Sequence, residues 1–278
     1  MRWIHAALFG SALLIHNAVA EFKFSVTGTR NGVPIPQNEI KLVPFEFGRS
    51  RNTKGAVSPP HRQTKRANPT ISSANWCGSV NYTPSSNQIK IVHAYWRHPT
   101  CTKRTGVTTY PQAVAAWAGI DGDTWLTALL QSGTVCKIDS ATAQVRHEAW
   151  WQWVPEAAFT ISTMPVNPGD WFEVTINTTS TTAGTITLTN IDRGHTYTIH
   201  LTGGPTLGRI NADFVVERPY YGGSLASFAS FTETWFQDAY AVRTTGSNLG
   251  LLGANQYQIP GLCASAEYDN LNGRSWSL

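Results

Sequence analysis

Over much of its second half the chain alternates apolar and polar residues with a period of two. In Trp171–Asn177, Phe172, Val174 and Ile176 alternate with Glu173, Thr175 and Asn177. Thr185–Thr189 and Thr196–Leu201 repeat the pattern, and turn signals separate them at Pro168-Gly169-Asp170, Ala183-Gly184 and Asp192-Arg193-Gly194. Such alternation predicts half-buried strands joined by tight turns in an antiparallel meander. No stretch shows a helical period with caps at both ends. Two packed antiparallel sheets, an all-β sandwich, are the economical architecture for this pattern. There is no internal repeat and no separate binding module.

The first part of the chain reads differently. Arg2, an apolar stretch from Ala6 to Ile15 and the small-x-small run Ala18-Val19-Ala20 have the layout of an export signal over residues 1–20. The apolar stretch falls short of the roughly 20 residues a bilayer span needs. A secreted, extracellular protein with no membrane attachment after signal removal is expected. Residues 21–66 hold nine Lys/Arg against three Glu, are broken by five prolines, and end in the dibasic pair Lys65-Arg66. A pro-segment removed by processing fits this better than a basic arm for nucleic acid. The remaining 212 residues (67–278) carry 11 basic and 14 acidic residues, a net of −3, so the pI of 8.9 describes the precursor. A segment of about +6 is expected to sit over an acidic cleft and to loosen in acid or high salt.

All four cysteines (Cys77, Cys101, Cys136, Cys263) fall after residue 66, which points to two disulfides of open pairing. No CxxC or HExxH spacing occurs, so neither a metal nor another cofactor is expected. Asn81-Tyr-Thr and Asn177-Thr-Thr are potential glycosylation acceptors.

Three windows could carry chemistry. In Ala115–Gly133, Ile120–Thr124 reads as a turn, and the strand after it places Thr127, Leu129 and Gln131 on one face. A glutamine amide there is a donor whose charge does not change with pH. In Ala149–Glu156, Trp150, Gln152 and Val154 share a face, with Trp151 and Trp153 opposite. One face suits core packing, the other a groove wall. In Asn211–Pro219, Asp213, Val215 and Glu217 face one way. Asp213 and Glu217 then lie about 13–14 Å apart along the strand, too far to share a proton as an aspartic dyad does. Periodicity by itself leaves Glu217 readable as a charge at a strand end.

These windows, in order, resemble the fungal glutamic peptidases, or eqolisins. The matching runs are Asn75-Trp-Cys-Gly-Ser-Val80, Trp117–Thr124, Leu130-Gln-Ser-Gly133, Trp153-Val-Pro-Glu-Ala157, Asn211–Pro219 and Phe228-Ala-Ser-Phe231. The resemblance implies a lectin-like sandwich of two curved sheets, with the site on a concave face. It implies an acid endopeptidase in which Glu217 acts on a water as general base and acid while Gln131 stabilises the oxyanion. Trp76, Trp117, Asp121, Trp150, Gln152 and Asp213 are implied around that pair or along the substrate groove. Asp213 and Gln152 stand where the family commonly has Glu, and Val154 where it has Tyr, which bears on specificity and pH range. The expected partners are protein or peptide substrates, with no nucleic acid, and the expected state is a monomer. The alternatives are a non-catalytic sugar-binding sandwich that stacks on its tryptophans, and a glycosidase. The latter needs a second carboxylate within about 5–10 Å of Glu217, supplied through the fold by Asp121 or Asp123.

Overall fold

The computed structural model describes residues 21–48, 70–268 and 275–277. The expected signal sequence and the dibasic pair lie outside the described residues. Apart from two short 3-10 turns, the assigned elements are strands. In chain order, the N-terminal segment supplies β1 (Lys23–Arg30), β2 (Leu42–Pro44) and β3 (Phe47–Gly48). There follow β4 (Trp76–Tyr82), β5 (Ile89–Arg97), β6 (Gln112–Asp121), β7 (Leu129–Ile138), β8 (Arg146–Val154) and β9 (Phe159–Ile161). The rest are β10 (Trp171–Thr178), β11 (Gly184–Asn190), β12 (His195–Thr202), β13 (Asn211–Glu217), β14 (Tyr220–Tyr221), β15 (Trp235–Arg243) and β16 (Asn255–Gln258).

Two ten-stranded sheets pack face to face, as the alternation predicts. The first runs β1-β12-β11-β10-β5-β15 and the second β2-β9-β8-β7-β6-β13-β4-β16. The predicted meander is β10–β11–β12, paired antiparallel in sequence. Its inward residues Phe172, Val174, Ile176, Ile186, Leu188, Tyr197, Ile199 and Leu201 are all buried. They meet the inward side chains of the second sheet, even-numbered on β6, β7 and β13 and odd-numbered on β8, among them Val114, Ala116, Leu130, Trp151, Trp153, Phe214 and Val216. Burying this apolar area is the main favourable contribution to the fold.

The second sheet behaves differently from the first. Every residue of β6, β7 and β13 is buried, on both faces. The side chains of Ala115, Trp117, Leu129, Val135, Trp150 and Val215 form a second cluster on the face turned away from the first sheet. That face is called here the site face. Its double burial is why Ala115-Ala-Trp-Ala shows no clean alternation.

The N-terminal segment is woven into both sheets. β1 extends the first sheet along β12 in an eight-residue ladder, and β2 extends the second along β9. Phe24 packs edge-on against Trp151, and Phe22 against Trp153, sealing the margin of the inter-sheet core. Two disulfides form, as the even count suggests, and the fold selects Cys77–Cys263 and Cys101–Cys136. The two potential glycosylation acceptors differ in exposure. Asn81 is 4% exposed and its Nδ2 donates to the Gly250 carbonyl at 2.9 Å, so no glycan can be attached there without unpacking β4. Asn177 stands on the outward face of β10.

Gly133 sits opposite Trp117 in the β6–β7 ladder. A Cβ at this position would lie 2.2 Å from the Ala116 carbonyl oxygen and 2.5 Å from Trp117 Cβ, so backbone would have to move. Gly133→Ala is therefore expected to cost roughly 1–3 kcal/mol of stability, read as a lower midpoint in urea unfolding.

Candidate active site

Glu217 ends β13 on the site face, beside Trp76 of β4 and Ala115 of β6. Its side chain is fully buried. The Trp117 indole N–H donates to Oε2 at 2.8 Å, and Asn75 Nδ2 donates to Oε1 at 3.3 Å. Trp76 stands edge-on to Trp117 at 5.1 Å and walls the carboxylate on the other side. The reading of Glu217 as an exposed strand-end charge is therefore wrong. The strand ends there, but β6 continues past it to Gln112, and Trp76 and Trp117 wall the carboxylate.

Gln131 lies on the same face of β7 and is also fully buried. Its Nε2 donates to Gln152 Oε1 at 3.2 Å, and Gln152 Nε2 donates to the Glu156 carbonyl at 3.0 Å. This relay fixes which way the Gln131 amide points. One of its two N–H groups remains for another acceptor, and Oε1 is buried without a partner. Thr127, expected on the same strand face, instead lies in the turn before β7 begins.

Register relates the two residues. Gln131 pairs with Gly119 and Glu217 with Ala115, so they flank β6 from either side with a four-residue offset. That offset is about 13 Å along the strand, and Trp117 occupies the intervening row. Asp213 stands in the same row as Gln131, across Gly119. It is fully buried, and neither carboxylate oxygen has a hydrogen-bond partner. Burial, reinforced by the nearby Asp123 and Asp121 charges, pushes its pKa well above the usual carboxylate range.

Asp121 turns away from this group. Its oxygens accept the backbone N–H groups of Arg209 and Ile210 at 2.8 and 2.9 Å, which fixes the start of β13. Burial pushes its pKa up to about 6 despite those donors. Asp123 is bonded by the Tyr82 hydroxyl, which also meets Tyr257 Oη at 2.8 Å. Tyr82 and Tyr257 are not among the residues the sequence marks, and Asn75 enters there only as the head of the run Asn75–Val80. The alternation Trp76, Gly78, Val80, Tyr82 could have placed Tyr82 on the site face, whereas Asn75 precedes its strand and no period reports it.

Trp150, on the site face as expected, is covered by the N-terminal segment. The Phe45 ring stacks on it at 5.0 Å with planes 7° apart. Phe47 is 2% exposed and belongs to the cluster of Trp76, Trp117 and Trp150. Between them Glu46 Oε2 lies 2.9 Å from Lys137 Nζ. Charge therefore meets charge in the opposite sense from the basic-segment, acidic-cleft expectation. Residues 21–48 hold three basic and three acidic side chains, and the excess positive charge resides in residues 49–66, outside the described residues. Among the described residues no group of three or more His, Cys, Asp or Glu could hold a metal ion, and no helix is long and apolar enough to cross a membrane.

The profile of the Peptidase A4 family matches residues 74–270, which include Glu217, Gln131 and every motif compared above. The chain belongs to the Peptidase A4 family. It is 30% identical over 201 residues to aspergillopepsin-2 of Aspergillus niger, covering 64% of this chain and 67% of that protein. It is 29% identical over 171 residues to scytalidopepsin B of Scytalidium lignicola, covering 61% and 60%. Among solved structures, scytalido-glutamic peptidase with a peptide-based transition-state analogue is similar with a TM-score of 0.60 and 27% identity. That match covers 73% of this chain and 97% of the other. Aspergilloglutamic peptidase from Aspergillus niger has a TM-score of 0.52 at 32% identity, covering 60% and 97%. Membership of the family makes the chain a glutamic endopeptidase, a hydrolase of peptide bonds. It also sets aside the reading as a non-catalytic sugar-binding sandwich.

Asp213 has a consequence for stability. The folded state resists ionising it, whereas the unfolded chain ionises near pH 4. Folding therefore loses stability as pH rises from about 4 toward the raised native value. Asp213→Asn removes that penalty. The melting temperature of the parent protein relative to this variant is expected to fall between pH 4 and pH 7, as read by thermal melts of both.

Proposed function

We propose that the protein is a secreted acid endopeptidase in which Glu217 and Gln131 form the catalytic pair. The observation that carries this is a fully buried glutamate on the site face, held by Trp117 Nε1 and Asn75 Nδ2, with an oriented amide across β6. Their strand positions are offset by about 13 Å along β6, so both side chains have to reach over Trp117 toward the scissile carbonyl of a peptide laid there. Ionised Glu217 takes a proton from a water as the water oxygen bonds to the carbonyl carbon. The free N–H of Gln131 donates to the oxyanion that forms. Protonated Glu217 then returns its proton to the amine nitrogen as the C–N bond breaks, leaving a carboxylic acid and a free amine. A carboxylate base remains usable in mild acid, where a histidine would be protonated. Support also comes from unpartnered buried polar atoms gathered on this face: Gln131 Oε1, Trp76 Nε1, Trp150 Nε1 and the Asp213 oxygens. A bound peptide offers acceptors and donors to such groups.

Residues 21–66 are read as the pro-segment of this enzyme, with residues 67–278 as the enzyme domain and residues 1–20 as the export signal. Phe45, Glu46 and Phe47 cross the site face and keep Trp150 and Lys137 from solvent. The aromatic contacts do most of the holding, because Glu46 is half exposed and its ion pair is partly screened. Lys137 holds the Glu46 pKa below the usual carboxylate value, so the pair persists above that value and is lost as pH falls through the lowered one.

Glu217→Gln is expected to abolish cleavage of a denatured protein at pH 3–5 while leaving the circular dichroism spectrum and melting midpoint near those of the parent; full activity would remove Glu217 from the mechanism. Cleavage of the full chain after Arg66 alone is expected to leave residues 21–66 bound at pH 7, since the β1–β12 ladder and the Phe24–Trp151 contact are unaffected. Size-exclusion chromatography of the nicked protein reads this directly, and separate elution of the segment at pH 7 would contradict it.

A further inference from the structure

Lys137 is a buried cation that the mechanism does not use. It is on the site face of β7, six residues beyond Gln131, and is 1% exposed. Its ammonium lies 2.9 Å from Glu148 Oε1 on β8 and 2.9 Å from Glu46 Oε2 of the N-terminal segment. Arg146, next to it in the β7–β8 ladder, lies 3.6 Å from the same Glu46 oxygen and also pairs with Asp139 and Glu148. A lysine this deep is costly unless its N–H donors are taken. Glu148 takes one, and Glu46 takes another from outside the domain. The neighbours of Glu46 are equally specific: Phe45 stacks on Trp150, and Phe47 places its ring 5.6 Å from Lys137 Nζ. Phe47 also pairs with Tyr221 of β14, just past Glu217. Three consecutive residues thus cross the sheet transversely, from β8 over β7 to the strand that follows β13.

An extended segment lying across a catalytic face in this way occupies the space that a substrate chain must take. We infer that Lys137, with Arg146 beside it and Trp150 next in line, forms a substrate subsite for an acidic side chain preceded by an aromatic one. The inference rests on the peptidase reading above and adds to it a preferred substrate class, peptides of the form aromatic-acidic-aromatic. When the N-terminal segment is displaced, an N–H of Lys137 loses its acceptor, and a substrate carboxylate restores it at the same place. A glutamine there can offer a carbonyl oxygen but no charge.

The test uses the full chain carrying Phe45→Ala, which loosens the segment's own hold on Trp150. Two synthetic heptapeptides compete for the face, Leu-Val-Pro-Phe-Glu-Phe-Gly (the sequence of residues 42–48) and the same peptide with Gln for Glu. Binding is followed at pH 5.5 by quenching of tryptophan fluorescence, and peptidase activity separately on a denatured protein. The Glu peptide is expected to bind about ten-fold more tightly, the range of one charge-assisted hydrogen bond. Lys137→Gln is expected to erase that preference and Arg146→Gln to reduce it. Equal binding of the two peptides, or a preference that survives Lys137→Gln, overturns the subsite. If Lys137→Gln does not fold, the peptide pair measured on the Lys137 protein decides by itself. Cleavage of the denatured protein without a peptide preference overturns the subsite alone. A preference without any cleavage overturns the peptidase reading and leaves a binding site for acidic peptides.

Discussion

The central strands of the second sheet have no face to give to water, and most of what is distinctive in this protein follows from that constraint. β6, β7 and β13 are buried on both sides, so every polar side chain on the site face must find its partner within the protein or remain neutral. Glu217 is met by Trp117 and Asn75, Gln131 by Gln152, and Lys137 by Glu148 and Glu46. Asp213 finds no partner among the hydrogen bonds of the structure and is driven toward its protonated form. A low-dielectric face strengthens each of these interactions and makes a misplaced charge costly. Such a setting can hold an isolated carboxylate and an amide in fixed orientations, which general acid–base chemistry on a peptide requires.

The glycines of the family motifs belong to the same constraint. Trp117 can lie along the site face because Gly133 opposite it and Gly119 beyond it lack side chains. A Cβ at Gly119 would come within 2.8 Å of the Trp117 ring. The indole is thus free to bring its N–H to Glu217. A motif that reads as WxGID followed by LQ-G is, in three dimensions, one tryptophan and the two vacancies it needs.

The N-terminal segment completes the burial. Its Phe22 and Phe24 close the margin of the inter-sheet core, while Phe45 and Phe47 close the site face. Its net positive charge, prominent in the composition, lies outside the described residues. The contacting part is aromatic and carries a single carboxylate to a buried lysine. For residues 21–48, whose own charges balance, apolar burial supplies most of the contact and the ion pair is decided by one position.

By itself the sequence determined the all-β class, the β10–β11–β12 meander and the faces of Gln131, Trp150 and Glu217. Each follows from a period of two, which is a property of neighbouring residues. It also carried the ordered motifs that placed the chain in its family. The pairing of the cysteines, the burial of Asn81 and the inward turn of Asp121 onto residues 209–211 were decided only by the tertiary structure. So were the Asn75 contact with Glu217 and the descent of Glu46 onto Lys137. All of these join positions far apart in the chain, whose meeting depends on strand order and register rather than on local pattern. Lys137 shows both sides of the division. Its place on the Gln131 face could be counted from the sequence, two residues at a time, but the carboxylates that allow a lysine to be buried there come from β8 and from a segment ninety-one positions away.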